Sequence, residues 1–440
     1  MTNLSPRDEA LQIIETFDAL PTKRKIEIFC DLSPEAREEL VEIAARPWEI
    51  VRAISEEEIY FTIKALGRER APALITMTTG AQLRHLIDMD VWHRDAFIPK
   101  EASEWIQIIA AIGEEKILQF LQVTDPELVV LILNSLVRVS VRNPDIDHLE
   151  EQDDFPWFSL DRIFFVEFLG DVPEDLIKSF LGTMFRWNPE YYYTVIQQIV
   201  AGVDPATVER ALKWAQARLA DKGFPDFDEA LEIYRPVNPD LIIKGSRDAY
   251  SPVDETEERP EKLLAYPLAT LDNSSLFKRT LDRVNDPDER QRLSVELAHL
   301  ANKVMIADVK DPGSVGDLLN GIKKVSGYIN IALEEISRSD PKKAARIIKT
   351  NHMEILFRRG FTLILDLQTL TRKFVRRSTG SVENFGYPLT PIIKGLLRKR
   401  PVFTETTAPE PKTREFESLA DLRTIKELIA EDFGQNWEIL

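Results

Sequence analysis

Twelve of the 26 prolines follow a serine, threonine, aspartate or asparagine: Pro6, Pro34, Pro126, Pro144, Pro189, Pro205, Pro239, Pro252, Pro287, Pro312, Pro341 and Pro391. Such a pair suits a helix start. The polar side chain caps free backbone N–H groups, and proline at the first helical position loses nothing, since its N–H would be unpaired there. Glu35, Glu127, Glu190 and Asp288 follow in the first turn, where the helix dipole favours negative charge. Apolar residues then recur at three- and four-residue steps, as in Leu128, Leu131, Ile132 and Leu136, or Val208, Leu212, Ala215 and Leu219. Alternating strand patterns with hairpin glycines are almost absent, and 17 glycines are few for 440 residues. The sequence therefore predicts an all-α fold.

Helix starts near Ser33, Ser55, Thr79, Pro99 and Thr124 are spaced by 20 to 25 residues, and later ones fall near Pro173, Asn188 and Asp204. One helix plus a turn fits about 22 residues, so a helix pair spans about 45, within the range of helical solenoid repeats. An irregular helical domain is the other arrangement that fits. The longest apolar stretch, Leu128–Val141, is broken by Asn134, Ser135 and Arg138 and falls short of the roughly 20 residues a bilayer needs. It reads as a buried core helix. With no basic start and apolar run at Met1–Ala10, the expectation is a cytoplasmic protein with no membrane insertion.

The segments Leu20-Pro21, Leu32-Ser33-Pro34-Glu35, Ile54-Ser55-Glu56-Glu57 and Thr79-Gly80-Ala81-Gln82 resemble the short-helix superhelix in the cytosolic N-terminal domain of MgtE-type magnesium transporters. Flagellar rotor proteins use a related stacking. The likeness covers roughly 20–141 and implies a superhelical, solenoid-like N-terminal half. It does not extend to a membrane domain, so it implies the stacking and not ion transport. Over its full length the chain is similar to a family of uncharacterised bacterial proteins, on the stretches Phe155-Pro156-Trp157-Phe158 and Gly223-Phe224-Pro225-Asp226 with Glu229-Ala230. That resemblance implies no function.

Composition shifts divide the chain into a helical-repeat-like domain (1–236), a linker or long loop (237–261), a second helical domain (262–400), a Pro/Thr-rich tether (401–413) and an amphipathic C-terminal helix (414–440). The linker holds Pro239, Pro252 and Pro260 with the charged run Asp254–Arg259. In the last segment Phe416, Leu419, Leu422, Ile425, Ile429 and Phe433 fall mostly three or four apart before Gly434.

Catalytic signatures are missing: there is no phosphate loop, dinucleotide fingerprint, zinc-protease helix or nucleophile elbow. No cofactor and no metal site is expected. The single cysteine, Cys30, lies in an apolar run and reads as a small buried hydrophobe. His85, Asp88, Asp90, His93 and Asp95 form one metal-like cluster, but match no ligand spacing. The acidic run Asp145–Asp154 lacks the glycine and regular spacing of a calcium loop and reads as a solvated loop.

Two features point to contact surfaces. Twelve of the 38 aromatic residues fall between Phe155 and Tyr193. Within Trp187–Tyr193 the consecutive Tyr191, Tyr192 and Tyr193 cannot all face one core, because successive helix residues point about 100° apart. At least one should face a groove, a loop or a partner. Charge is the second feature. Pro341–Arg400 holds 14 Lys or Arg against 3 Asp or Glu, a net of +11, while the rest of the chain holds 42 against 71, a net of −29. Arg372, Lys373, Arg376 and Arg377 share one arc of a helix whose opposite side is apolar, and Lys394, Arg398, Lys399 and Arg400 add a second cluster. This region could pair with acidic parts of the same chain or a second copy, bind an acidic protein or nucleic acid, or simply be solvated. Nucleic acid is the weaker candidate, since −29 elsewhere repels a phosphate backbone. The function expected is a non-catalytic interaction or scaffold protein with a protein partner or self-association. Nucleic-acid or acidic-partner binding through 341–400 is the alternative, and an enzyme with an unrecognised site a further one.

Overall fold

The computed structural model describes residues 16–141, 158–170, 172–238, 242, 264–311, 313–378, 380–406 and 410–433. The acidic run at 145–154, most of the expected linker and Gly434 lie outside the described residues. The fold is mainly α-helical. Its helices begin where capping chemistry places them: Ser33 accepts from the Ala36 N–H, Asn188 from Tyr191, Asp204 from Ala206 and Asp340 from Lys342, while Thr79 and Gln82 form a reciprocal capping box.

The chain divides into two compact units, the first ending at Asp221 and the second running from Lys222, with Leu264 grouped in the first. The first unit carries helices α1 (Thr22–Asp31), α2 (Pro34–Ile43), α3 (Pro47–Val51), α4 (Glu56–Leu66), α5 (Pro72–Met77) and α6 (Gly80–Asp90). After these come α7 (Pro99–Ile112), α8 (Glu114–Val123), α9 (Pro126–Leu136), α10 (Glu174–Trp187), α11 (Pro189–Ala201) and α12 (Pro205–Ala220). Packing runs largely between next-but-one neighbours: α4 lies on α2 and α6, α8 on α6 and α10, and α9 on α11.

Two short antiparallel strand pairs interrupt this unit, β1 (Trp92–His93) with β2 (Ala96–Phe97) and β3 (Val137–Val141) with β4 (Phe164–Phe168). The reading of Leu128–Val141 as one core helix is therefore corrected. The helix stops at Leu136. Beyond it β-branched Val137, Val139 and Val141 alternate with Arg138 and Ser140, a period-two pattern that pairs with β4 instead of continuing a 3.6-residue helix.

Polar ties cross the first unit's core. Arg37 and Glu58 are both buried and paired at 2.8 Å. Lys116 on α8 donates to the carbonyl oxygens of Thr76 (3.3 Å) and Thr78 (3.2 Å) and to the Thr78 hydroxyl (2.7 Å), closing the end of α5. Burial, with the Arg52 charge adding to it, pushes the Lys116 ammonium down to about 7. The folded state then holds this lysine neutral above pH 7, while the unfolded chain keeps it protonated to about pH 10. Over that window the unfolded state binds the extra proton, so stability rises with pH. Denaturation midpoints of the wild type between pH 7 and 10 are expected to rise more steeply than those of Lys116→Met; equal slopes would contradict the assignment.

The second unit packs α13 (Phe227–Leu231), α14 (Tyr266–Ala269), α15 (Leu276–Leu281) and α18 (Pro341–Thr350) around three long helices, α16 (Pro287–Ala307), α17 (Val315–Ser337) and α19 (Met353–Ser378). It ends with α20 (Leu389–Leu396) and α21 (Leu419–Phe433). The 401–413 segment contains β5 (Phe403–Glu405), which pairs antiparallel with β6 (Lys412–Arg414). Arg414 holds Glu405 and Asp421, and Phe416, Leu422, Ile425 and Ile429 are buried, so the C-terminal helix is docked on its own unit. The axis of this unit is the crossing of α17 with α19. A Cβ on Gly360 would lie 2.0 Å from the Tyr328 carbonyl oxygen, so glycine is what lets the two backbones touch. The Tyr328 ring stacks there on Phe357 at 5.1 Å.

Candidate functional site

The last two turns of α19 present Arg372, Lys373, Arg376 and Arg377 to solvent, while Ile364, Leu367, Thr371, Phe374 and Val375 on the opposite side are buried. The helix is amphipathic at its end because its apolar positions fall three or four apart and the basic ones fill the arc between them. Among the described residues none of the four cations is ion-paired. The pairs that flank them join Arg359 to Glu335 and Lys394 to Glu383. Cations at a helix C-terminus also complement its dipole, which accounts for part of their placement.

The second basic cluster is divided by the structure. Lys394 is exposed and held by Glu383 at 2.8 Å. Arg398 and Lys399 are exposed. Gln368, one turn before Arg372, donates to the carbonyl oxygens of Leu396 and Arg398, which brings the end of α20 alongside the basic end of α19. Arg400 does not join this surface. Its Nε donates to Asp308 at 2.9 Å, and its guanidinium lies 3.5 Å from the centre of the Tyr234 ring.

Arg400 instead belongs to a partly buried ionic cluster, around the buried Lys324, Tyr234 and Tyr328, that carried no sequence signal. Asp308 accepts from the Tyr234 hydroxyl (2.7 Å), Arg400 Nε (2.9 Å) and Lys324 Nζ (2.5 Å). Lys324 also lies 3.7 Å from Glu415, which accepts from the Tyr328 hydroxyl at 3.4 Å. Burial pushes the Glu415 carboxyl up, with Asp308 adding to the effect and Lys324 opposing it; burial likewise raises both tyrosines. Six groups from five separate stretches of chain converge here. No fixed spacing links them, so no local pattern could have announced the cluster.

The aromatic segment is mostly self-packed. Tyr192 is buried with its ring edge-on to Phe185 at 5.1 Å, and half-buried Tyr193 meets Phe164 and Phe185, each at 6.1 Å. Tyr191 is half-buried against Trp187 at 5.5 Å. The hydroxyls of Tyr191 and Tyr192 have no hydrogen-bond partner among the described residues, and burial pushes both phenols up. Trp187, 36% exposed, faces solvent more than the other described aromatic residues of the segment.

Two members of the metal-like cluster, Asp88 and Asp90, are held in salt bridges. Asp88 takes Arg218 at 2.7 and 2.9 Å. Asp90 takes Lys64 (2.9 Å), Trp105 Nε1 (3.1 Å) and the Tyr60 hydroxyl (3.2 Å). His85 is buried edge-on to Tyr60, and His93 is exposed. Among the described residues no three His, Cys, Asp or Glu side chains are grouped as a metal site. Cys30 is buried and its thiol is pushed up by that burial, as suits an inert core thiol. None of the described helices is long and apolar enough to cross a membrane.

These observations define a mainly helical protein in which buried carboxylates such as Glu58, Asp88, Asp90 and Asp308 are held by cations, and in which Arg372, Lys373, Arg376 and Arg377 stand exposed on one helix end. The chain belongs to a family of unknown function, DUF6178, whose model matches residues 14–431. Neither a curated protein nor a solved structure shows significant similarity to it.

Proposed function

We propose that the chain is a non-catalytic cytoplasmic interaction protein that engages an acidic protein partner through the basic end of α19. The observation that carries this reading is the group of four exposed, unpaired cations, Arg372, Lys373, Arg376 and Arg377, on a helix anchored by its other face. Potentials of one sign concentrated on a surface steer and select partners of the other sign. The ion-paired buried carboxylates support a binding role over a reaction site. Glu58, Asp88, Asp90 and Asp308 are each held by a cation.

An acidic protein fits better than nucleic acid, because the rest of the chain carries −29, which repels a phosphate backbone. Fluorescence anisotropy with a polyglutamate peptide and a DNA duplex tests the choice. The peptide is expected to bind at low salt and the duplex to bind more weakly. Tighter duplex binding would move the reading to nucleic acid, and no binding of either would remove it.

A further inference from the structure

Two helix faces carry like charges that no ion pair among the described residues offsets. On α2, Glu35, Glu38, Glu39 and Glu42 recur at i, i+3, i+4 and i+7, which places them on one face over about 10 Å of helix. Glu35, Glu39 and Glu42 are exposed and Glu38 is half-buried. Among the described residues none is ion-paired, and the pairs of this region join Arg37 to Glu58 and Arg46 to Glu49 instead. Burial, and after it the Glu42 charge, holds the Glu38 carboxyl above the usual range. On α19, Arg372 and Arg376, like Lys373 and Arg377, are one turn apart. Like charges at this spacing destabilise their own helix, so each face gains from a row of opposite charge laid against it.

Both faces also have an apolar or aromatic neighbour. Ile43, 53% exposed, follows Glu42 directly, and Trp48, 43% exposed, stands on α3, which packs against α2. Beside the basic face, Phe385 packs on Phe374 at 5.0 Å and fixes the following turn, where Tyr387 is 61% exposed. Trp, Tyr and Arg are enriched at protein interfaces, and here they stand beside rows of opposite charge.

We infer that the basic end of α19 in one copy receives the acidic face of α2 from a second copy. This rests on the reading of that basic end as a binding face, and it names the partner as the chain itself. Used reciprocally the contact closes a dimer; used in one direction it propagates from copy to copy.

Sedimentation velocity of the full chain tests the inference. The wild type is expected to gain mass with concentration at low salt and to lose that gain at high salt. Reversing either face, as E35K/E38K/E39K/E42K or as R372E/K373E/R376E/R377E, should weaken association about tenfold or more. Mixing the two reversed proteins should restore it, because each then offers the other a complementary face. Circular dichroism reports whether the variants fold, and the single reversals E39K and R376E serve in their place if they do not. A wild type that stays monomeric at every concentration would overturn the inference, as would folded variants that associate like the wild type or a mixture that stays dissociated. A monomeric wild type that still binds polyglutamate through α19 would overturn self-association alone and leave the acidic-partner reading intact.

Discussion

Gly360→Ala is expected to lower the stability of the second unit by about 3 kcal/mol or more, although alanine is the better helix former. The two effects oppose each other and their sizes decide. In a helix interior, alanine gains about 1 kcal/mol over glycine. Against it, a Cβ at Gly360 would lie 2.0 Å from the Tyr328 carbonyl oxygen and 2.7 Å from its carbon. Those atoms are backbone, so no side-chain rotation relieves the overlap. The α17–α19 crossing must open, which weakens the stack of Tyr328 on Phe357 and exposes the core it covers. Overpacking of this kind costs about 1–3 kcal/mol even where side chains can adjust. At about 2–4 °C per kcal/mol, calorimetry should show the second unit's transition at least about 6 °C lower. Gly316→Ala on α17 is the control, since its Cβ would come no closer than 3.7 Å to Ser314 Oγ. It should be neutral or slightly stabilising. If both substitutions behave alike, the close crossing is not what holds the unit.

Asp308→Ala is expected to be comparably severe for a different reason. Asp308 is the shared acceptor for Lys324, Arg400 and the Tyr234 hydroxyl, and Lys324 is almost fully buried. Removing the carboxylate leaves buried Lys324 without its nearest anion and partly exposed Arg400 unpaired, and breaking a buried pair costs about 3–5 kcal/mol. Glu415 offsets part of this, because it stands 3.7 Å from Lys324 and would draw it over. Lys394→Ala removes an ion pair of the same kind from the surface, where the loss is below about 1 kcal/mol. Guanidinium denaturation of the two variants compares them directly. An Asp308→Ala midpoint close to that of Lys394→Ala would mean that the cluster is not a structural tie.

Different parts of the molecule were legible in the sequence to different degrees, and local causes separate them. Helix starts were readable because an N-cap and the proline after it act within one turn: Ser33, Asn188, Asp204 and Asp340 each cap the helix they announce. The amphipathic end of α19 was readable for the same reason, since Phe374, Val375 and the four cations lie within a few residues of one another. The turn from α9 into β3 was missed because an apolar run hides its period. Only the alternation of Val137, Val139 and Val141 with Arg138 and Ser140 marks the change. Arg400 looked like part of a surface cluster because Arg398 and Lys399 precede it. Its side chain is drawn inward by Asp308, which lies 92 residues earlier in the chain. The same holds for Asp88 and Arg218, 130 residues apart. Pairs formed by tertiary packing leave no spacing to read.

The claim that one local face binds, and not the charge of the whole unit, is tested most directly by two reversals that change net charge equally. R372E/K373E/R376E/R377E alters the end of α19, and K342E/K343E/R346E/K349E alters four basic residues of α18 in the same unit. At about 0.5 kcal/mol for each exposed pair, four cations contribute about 2 kcal/mol, or about 30-fold in affinity. Polyglutamate titrated into each variant at fixed low salt should therefore lose at least about 30-fold in affinity with the α19 reversal and only a few-fold with the α18 reversal. Equal losses in both variants, or full affinity in the α19 variant, would contradict a binding face at Arg372–Arg377.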